Sequence, residues 1–241
     1  MKKYLYNDLY LLEDKHWWHI SKRRAILNCV RQFLKKRNAR ILDIGCGTGK
    51  NLEQLKKFGK IYGLDNSKEA IEFCQKRGLE NIKLGEAESM PFKPNSFNLI
   101  TLLDVLEHTD DNKTLKEAYR VLKEDGLLIL TVPAFSWLWS RWDEVLYHKR
   151  RYSRNTLVNI LKRHNFDIVY ATYLYSFLVL PALIIRQIKQ KLFKTKEYSS
   201  DFRLSGNLLN RIISTISKIE FKIAQKIPVL FGTTILVVAK K

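Results

Sequence analysis

A short apolar run, Arg40-Ile-Leu-Asp-Ile44, leads directly into Gly45-Cys-Gly47-Thr-Gly49-Lys50. No other feature restricts the fold of the chain as strongly. Glycines let a backbone turn tightly and approach another group without interference from a Cβ. The segment therefore predicts a strand entering a tight loop, with a helix to follow over 51–58. The alternation continues down the chain. Apolar, β-branched stretches predict strands over 60–64, 82–84, 97–103, 126–132, 166–172 and 233–239. Helical spacing appears over 15–37, 67–76 and 114–122, with Ser67 as an N-cap. Strands and helices alternating at this interval form right-handed βαβ crossovers. The expected architecture is α/β: a doubly wound, seven-stranded, mainly parallel sheet. Ligands of such sheets sit beyond the carboxyl ends of the strands. That directs attention to 43–49, Asp65, Glu86, 104–108 and the stretch from Pro133 onward.

The chain has 241 residues, 46% apolar and 28% charged. This composition buries a substantial core and excludes a wholly disordered chain and a polytopic membrane protein. The three cysteines, Cys29, Cys46 and Cys74, form no C-x-x-C pair. They read as free thiols of a reducing cytoplasm, and the first 14 residues carry no apolar run of signal-peptide length. The net charge of +19 is unevenly placed. Residues 41–147 hold 14 Lys/Arg against 17 Asp/Glu, whereas the first 40 carry +8 and residues 148–241 carry +14. Two basic flanks on a mildly acidic centre point to an anionic surface as partner, a membrane leaflet or a nucleic acid, unless they serve solubility alone.

The glycine turn by itself is weak evidence, because a G-x-G-x-x-G fingerprint needs glycine where Lys50 stands. Three further segments strengthen it. Asp65 closes the second strand, where a carboxylate accepts both hydroxyls of a ribose. Glu86 follows the third strand within Gly85-Glu-Ala-Glu-Ser-Met-Pro91, and Asp104-Val-Leu-Glu-His108 follows the fourth. Together and in this order they resemble the class I S-adenosylmethionine-dependent methyltransferases, most closely the type 11 branch that includes ubiquinone and menaquinone biosynthesis enzymes. The resemblance is tight over 38–135. It implies a Rossmann-like methyltransferase fold and S-adenosylmethionine as donor, leaving S-adenosylhomocysteine. By position, Asp43, Gly45, Cys46, Gly47 and Gly49 would cradle the methionine part and ribose of the donor. Asp65 and Asn66 would hold the ribose, Glu86 and Ala87 would meet adenine, and Asp104 would present its backbone to the methionine amino group. The family more often has Asp where Glu86 stands. Cys46 reads as a space-filler in the turn rather than a nucleophile.

On the acceptor side, an oxygen acceptor would need a base, for which His108, His148 and Tyr152 are the candidates. The histidines show no ligand spacing, and no metal is implied. Trp17 and Trp18, as core or as a lid, and Arg150 and Arg151, in a cluster beside Trp137, Trp139 and Trp142, are candidate substrate contacts. Aromatic surface next to arginines suits an amphipathic, anionic acceptor, a small molecule or a lipid-linked one. The absence of an Asn/Asp-Pro-Pro-aromatic stretch after the fourth strand argues against base-amine methylation of nucleic acid. A non-catalytic cofactor-binding scaffold is the reading from a different class.

Three segments result: an N-terminal helical cap over 1–37, the donor-binding domain over 38–172 with 233–241, and a basic helical insertion over 173–232. The insertion carries 10 Lys/Arg against three acids. Its first thirteen residues are nearly all apolar but too few to span a bilayer, and Pro181 interrupts them. A second stretch sets Leu208, Ile212, Ile216, Ile219, Ile223 and Ile227 at helical spacing among Arg211, Lys218, Lys222 and Lys226. Such a stripe lies in an anionic membrane interface, packs as core, or forms a homodimer contact. The expected location is cytoplasmic, peripheral on the inner membrane face.

Overall fold

The computed structural model describes residues 3–184 and 206–241. Among the described residues seven strands form one sheet: β1 (Ala39–Ile44), β2 (Gly59–Asp65), β3 (Ile82–Leu84), β4 (Phe97–Leu103), β5 (Leu122–Pro133), β6 (Asp167–Leu174) and β7 (Thr234–Lys240). Their order is β3-β2-β1-β4-β5-β7-β6. β7 runs antiparallel between β5 and β6, and the other described pairings are parallel. Helices are α1 (Lys3–Leu12), α2 (Trp17–Phe33), α3 (Lys50–Leu55), α4 (Lys68–Lys76), α5 (Asp111–Val121), α6 (Arg141–Val145), α7 (Arg154–Arg163) and α8 (Asn207–Ala224).

Period-two alternation splits the strands between two cores. Leu42, Ile100, Leu128 and Val237 pack with α5 and α7 residues such as Leu115 and Leu157 on one face. Ile41, Leu99, Ile129 and Val238 meet Ile26 and Val30 of α2, Leu52 of α3 and Phe221 of α8 on the other. Ser67 caps α4 as expected, accepting from the Ala70 N–H at 3.4 Å. Asp110 caps α5 in the same way, accepting from Lys113 at 3.1 Å.

Two sequence expectations need correction. The N-terminal cap contains an additional helix, α1, whose Leu5 and Tyr6 are buried. The apolar stretch after residue 172 begins inside the sheet, because Tyr173 and Leu174 belong to β6 and Tyr173 is buried. The basic residues Arg186, Lys189, Lys191, Lys194 and Lys196 lie outside the described residues.

Candidate active site

The loop after β1 has the backbone that glycines permit. Gly45, Gly47 and Gly49 adopt φ of +67°, +54° and +84°. The N–H groups of Gly45 and Cys46 both donate to Leu64 O, at 2.7 and 3.1 Å, fixing the turn to the end of β2. Gly49 starts α3 in the left-handed region. Asp65 joins the same loop: one carboxylate oxygen accepts from Gly47 N–H at 2.8 Å and the other from Ser67 N–H at 3.0 Å. An ionised carboxylate has about four lone-pair sites, so about two remain for a diol. Burial raises the Asp65 pKa, and these two N–H groups pull it back. Asn66 donates to the Glu86 carboxylate at 3.3 Å, and Ala87 is buried beside it. The residues expected at ribose and adenine thus converge on one rim.

Asp43 lies at the back of the site and is 1% exposed. One oxygen accepts from Thr101 Oγ1 at 2.6 Å, and the other is buried without a partner. Burial raises its pKa to about 7. A glycine cradle with an unsatisfied buried carboxylate oxygen fits a cationic, ribose-bearing donor. A folded-state pKa above the unfolded one means the ionised carboxylate is penalised in the fold. The penalty is complete above pH 7 and fades as pH falls towards 4. Replacing Asp43 with Asn is expected to raise the melting temperature more at pH 8 than at pH 5, read by thermal denaturation at the two values. An equal shift at both would refute this.

Cys46 is a filler, as its position suggests. It is buried with its sulfur 4.0 Å from that of Cys74. The contact with Cys74, and then burial, hold its thiol well above the usual cysteine range. α1 and the turn after it lie over the loop. A Cβ on Gly47 would stand 3.7 Å from Leu9, and Glu13 accepts from Thr48 Oγ1 and Arg77, each at 2.5 Å.

Asp104 follows β4 with φ +57°. Its carboxylate accepts from Thr131 Oγ1 at 2.9 Å and is ion-paired with Lys22 of α2. Lys22 also stands 4.4 Å from the centre of the Trp18 ring, which stacks on Tyr175 with centroids 4.5 Å apart. Trp17 and Trp18 are half-buried in this α2–Tyr175 contact.

His108 and His148 meet edge to face, with ring centroids 4.8 Å apart. Burial, reinforced by His148, lowers the His108 pKa to about 4. Tyr152 is placed differently. It is 3% exposed and its hydroxyl donates to Asp111 at 2.7 Å, and burial drives its pKa far above the tyrosine range. That placement does not bring it to an acceptor as a base. Arg151 is engaged as well, donating to both oxygens of the buried Asp143 at 2.7 and 3.0 Å. Arg150 pairs with Asp111 at 3.0 Å and lines a separate cavity of about 350 Å³ with Lys149 and Arg163.

The stripe of α8 does not pack as core. Leu208, Ile212, Ile216, Ile219, Ile223 and Ile227 are all exposed, from 39% to 73%. Buried instead are Ser217, Phe221 and Ala224, which face α2 and β6. At about 100° per residue the two faces are well separated, and Arg211, Lys218, Lys222 and Lys226 flank the apolar one. α8 is fastened to the site through α2: Trp17 N–H donates to Asn210 at 2.8 Å, and Glu220 accepts from the N–H groups of Tyr175 and Ser176, each at 2.6 Å. A groove of about 310 Å³ between the two helices is lined by Arg24, Arg31, Lys218 and Lys222. Among the described residues no helix is long and apolar enough to cross a membrane.

A methyltransferase-domain family model matches residues 42–130. An uncharacterized protein of Methanocaldococcus jannaschii is 30% identical over 175 residues, covering 68% of this chain and 82% of that protein. A demethylmenaquinone methyltransferase of Geobacillus stearothermophilus is 33% identical over 122 residues, 46% of this chain and 51% of the relative. The solved structure of a SAM-dependent methyltransferase from Archaeoglobus fulgidus shares the fold, with a TM-score of 0.56 and 22% identity over 91% of this chain and 94% of that one. Residues 42–130 thus carry a type 11 methyltransferase domain, and the fold around it is that of S-adenosylmethionine-dependent methyltransferases. Against two further curated relatives the chain spans only 36% and 39% of their length.

Proposed function

We propose that this protein transfers the methyl group of S-adenosylmethionine to a small or lipid-linked, anionic acceptor held at a membrane surface. The donor half rests on the matched methyltransferase domain and on the glycine loop, Asp43 and Asp65 converging on one crevice. The membrane half rests on one observation: the solvent-facing isoleucine stripe of α8, flanked by cations, is pinned to the helix that delivers Lys22 to Asp104. A relative named for methylating demethylmenaquinone supports a quinone as one such acceptor.

The reaction is an in-line displacement at the sulfonium methyl. What the protein supplies is alignment of the acceptor oxygen, nitrogen or carbon behind that methyl, the largest lever open to a two-substrate enzyme. Buried apolar side chains and lysines near an anionic leaflet, each of the latter contributing about 1 kcal/mol, hold the acceptor and enzyme in one plane.

Flotation with phosphatidylglycerol-containing vesicles tests the membrane half. The protein is expected to float with them, less so at high salt, and not with phosphatidylcholine alone. Replacing Ile212 and Ile219 together with Glu is expected to weaken partitioning at least about tenfold while leaving the melting temperature unchanged, since both side chains are exposed. Salt-sensitive RNA retention without flotation would replace this reading with nucleic-acid methylation. Calorimetric titration with S-adenosylmethionine tests the donor half, and an absent signal would refute it.

A further inference from the structure

Immediately past Asp104, a short 3₁₀ turn (Leu106–His108) carries a carboxylate that the site described so far does not use. Glu107 is completely buried, and neither of its carboxylate oxygens has a hydrogen-bond partner. Burying a carboxylate in this way costs several kcal/mol unless a cation or donors compensate. Two imidazoles stand beside it. His148 Nε2 is 4.0 Å from Glu107 Oε1, and one ligand atom from each of Glu107, His108 and His148 falls within 4.8 Å of the other two.

The outer nitrogens of both rings are already engaged. His148 Nδ1 lies 2.9 Å from Asp143 Oδ1. Asp143 is itself held by Arg151 and Ser140, and hydrogen bonds from His148 and Arg151 keep its carboxyl well below the usual range. An ionised carboxylate only accepts, so Nδ1 carries the hydrogen. His108 Nδ1 lies 3.3 Å from Tyr147 O, a carbonyl that also only accepts. Both Nδ1 atoms are thus committed to these partners, and His148 turns its Nε2 towards Glu107. At 4.0 Å the imidazole and the carboxyl group are too far apart for a direct hydrogen bond, so the buried Glu107 oxygens stay without a partner. Ligand atoms within 4.8 Å of one another stand somewhat wider than the roughly 3.4 Å between neighbouring ligands of a tetrahedral ion with bonds of about 2.0–2.2 Å, a gap that small side-chain movements close. A carboxylate behind a ligating histidine, fixing its tautomer, is the usual outer support of such a centre.

We propose that Glu107, His108 and His148 bind a divalent transition-metal ion of the zinc, cobalt or iron class, with positions left open for an exogenous oxygen ligand. Two imidazoles and one carboxylate select these ions over magnesium or calcium, which prefer all-oxygen shells. Where the methyltransferase reading holds, the ion sits three residues from Asp104 and takes the acceptor's oxygen as its open ligand, favouring the deprotonated form.

The test uses the full chain, purified without a histidine tag, stripped with chelator and titrated with Co²⁺ and Zn²⁺. The expected result is one equivalent bound, with visible Co²⁺ absorption that Zn²⁺ displaces. Glu107→Gln keeps the shape and removes the ligand charge, and His108→Ala alters a half-buried ring. Each is expected to weaken binding at least about 100-fold with the far-ultraviolet spectrum unchanged, and Asp143→Asn about 10-fold to 100-fold. Binding unaltered by both ligand variants, or no stoichiometric binding with His148 found protonated against Glu107 by NMR, overturns the proposal. Donor titration of the same samples keeps the two conclusions apart. Metal binding without donor binding would remove the methyltransferase reading and leave the ion, and the reverse would remove the ion alone.

Discussion

Asp65→Ala is expected to weaken S-adenosylmethionine binding by about 100-fold to 1,000-fold, equivalent to about 3–4 kcal/mol at roughly 1.5–3 kcal/mol for each hydrogen bond to a charged group. The carboxylate closes β2 at the rim where Asn66 and Glu86 converge, and on the proposed reading the lone-pair sites left by its two backbone donors take the ribose hydroxyls. The same substitution removes the acceptor of Gly47 N–H and of Ser67 N–H, at 2.8 and 3.0 Å. It therefore loosens the glycine turn and the start of α4, costing about 1–2 kcal/mol of stability. Asp65→Asn separates the two effects: its amide oxygen still accepts from one N–H, so most of the stability returns, while the loss of charge and of one acceptor keeps donor binding weak. Isothermal calorimetry against thermal melts of the three proteins reads both quantities. Unchanged donor affinity in Asp65→Ala would remove the ribose assignment.

The elements expected around a donor were legible because they are local. Each lies within a few residues of a strand end, and apolar runs such as 82–84 and 97–103 mark those ends without ambiguity. Ser67 announces a helix start by its chemistry alone. The direction of β7 was not legible, because period-two burial is the same for parallel and antiparallel neighbours; only the insertion that separates it from β6 hints at a reversal. α1 escaped notice because its helicity comes from docking rather than from a clear stripe: Tyr10 packs 4.8 Å from Phe73, and Arg77 lies 4.4 Å over the Tyr10 ring. In α8 the sequence shows a strong apolar stripe but not which face meets the protein. Phe221 and Ala224 win the interior because they fit against α2 and β6, and the isoleucines are left outside. The Glu107, His108 and His148 cluster was invisible for a related reason. His148 arrives from a different loop, and spacing rules register only ligands that share an element.

Gly45→Ala is expected to destabilise the protein by about 2–5 kcal/mol, lowering the melting temperature by roughly 4–20 °C at about 2–4 °C per kcal/mol for a chain of this size. Two independent costs combine. A side chain at φ +67° carries about 1–2 kcal/mol of backbone strain. Its Cβ would also stand 2.4 Å from Val105 Cγ2, so either the turn or the segment leading to Glu107 must move, at about 1–3 kcal/mol. Val105→Ala deletes the methyl that clashes and leaves the strained φ untouched. In the double variant the steric part should return, so that Gly45→Ala costs about 1–2 kcal/mol in the Val105→Ala background, a coupling that a double-mutant cycle measures directly. Donor binding should follow the steric part rather than the strain, because a turn pushed off Val105 draws Gly47 N–H away from Asp65 while a strained turn held in place does not. Full recovery of donor affinity with incomplete recovery of stability in the double variant is therefore the expected pattern. Additive losses in both quantities would mean that the packing of Val105 against the glycine turn does not set the geometry of the donor site.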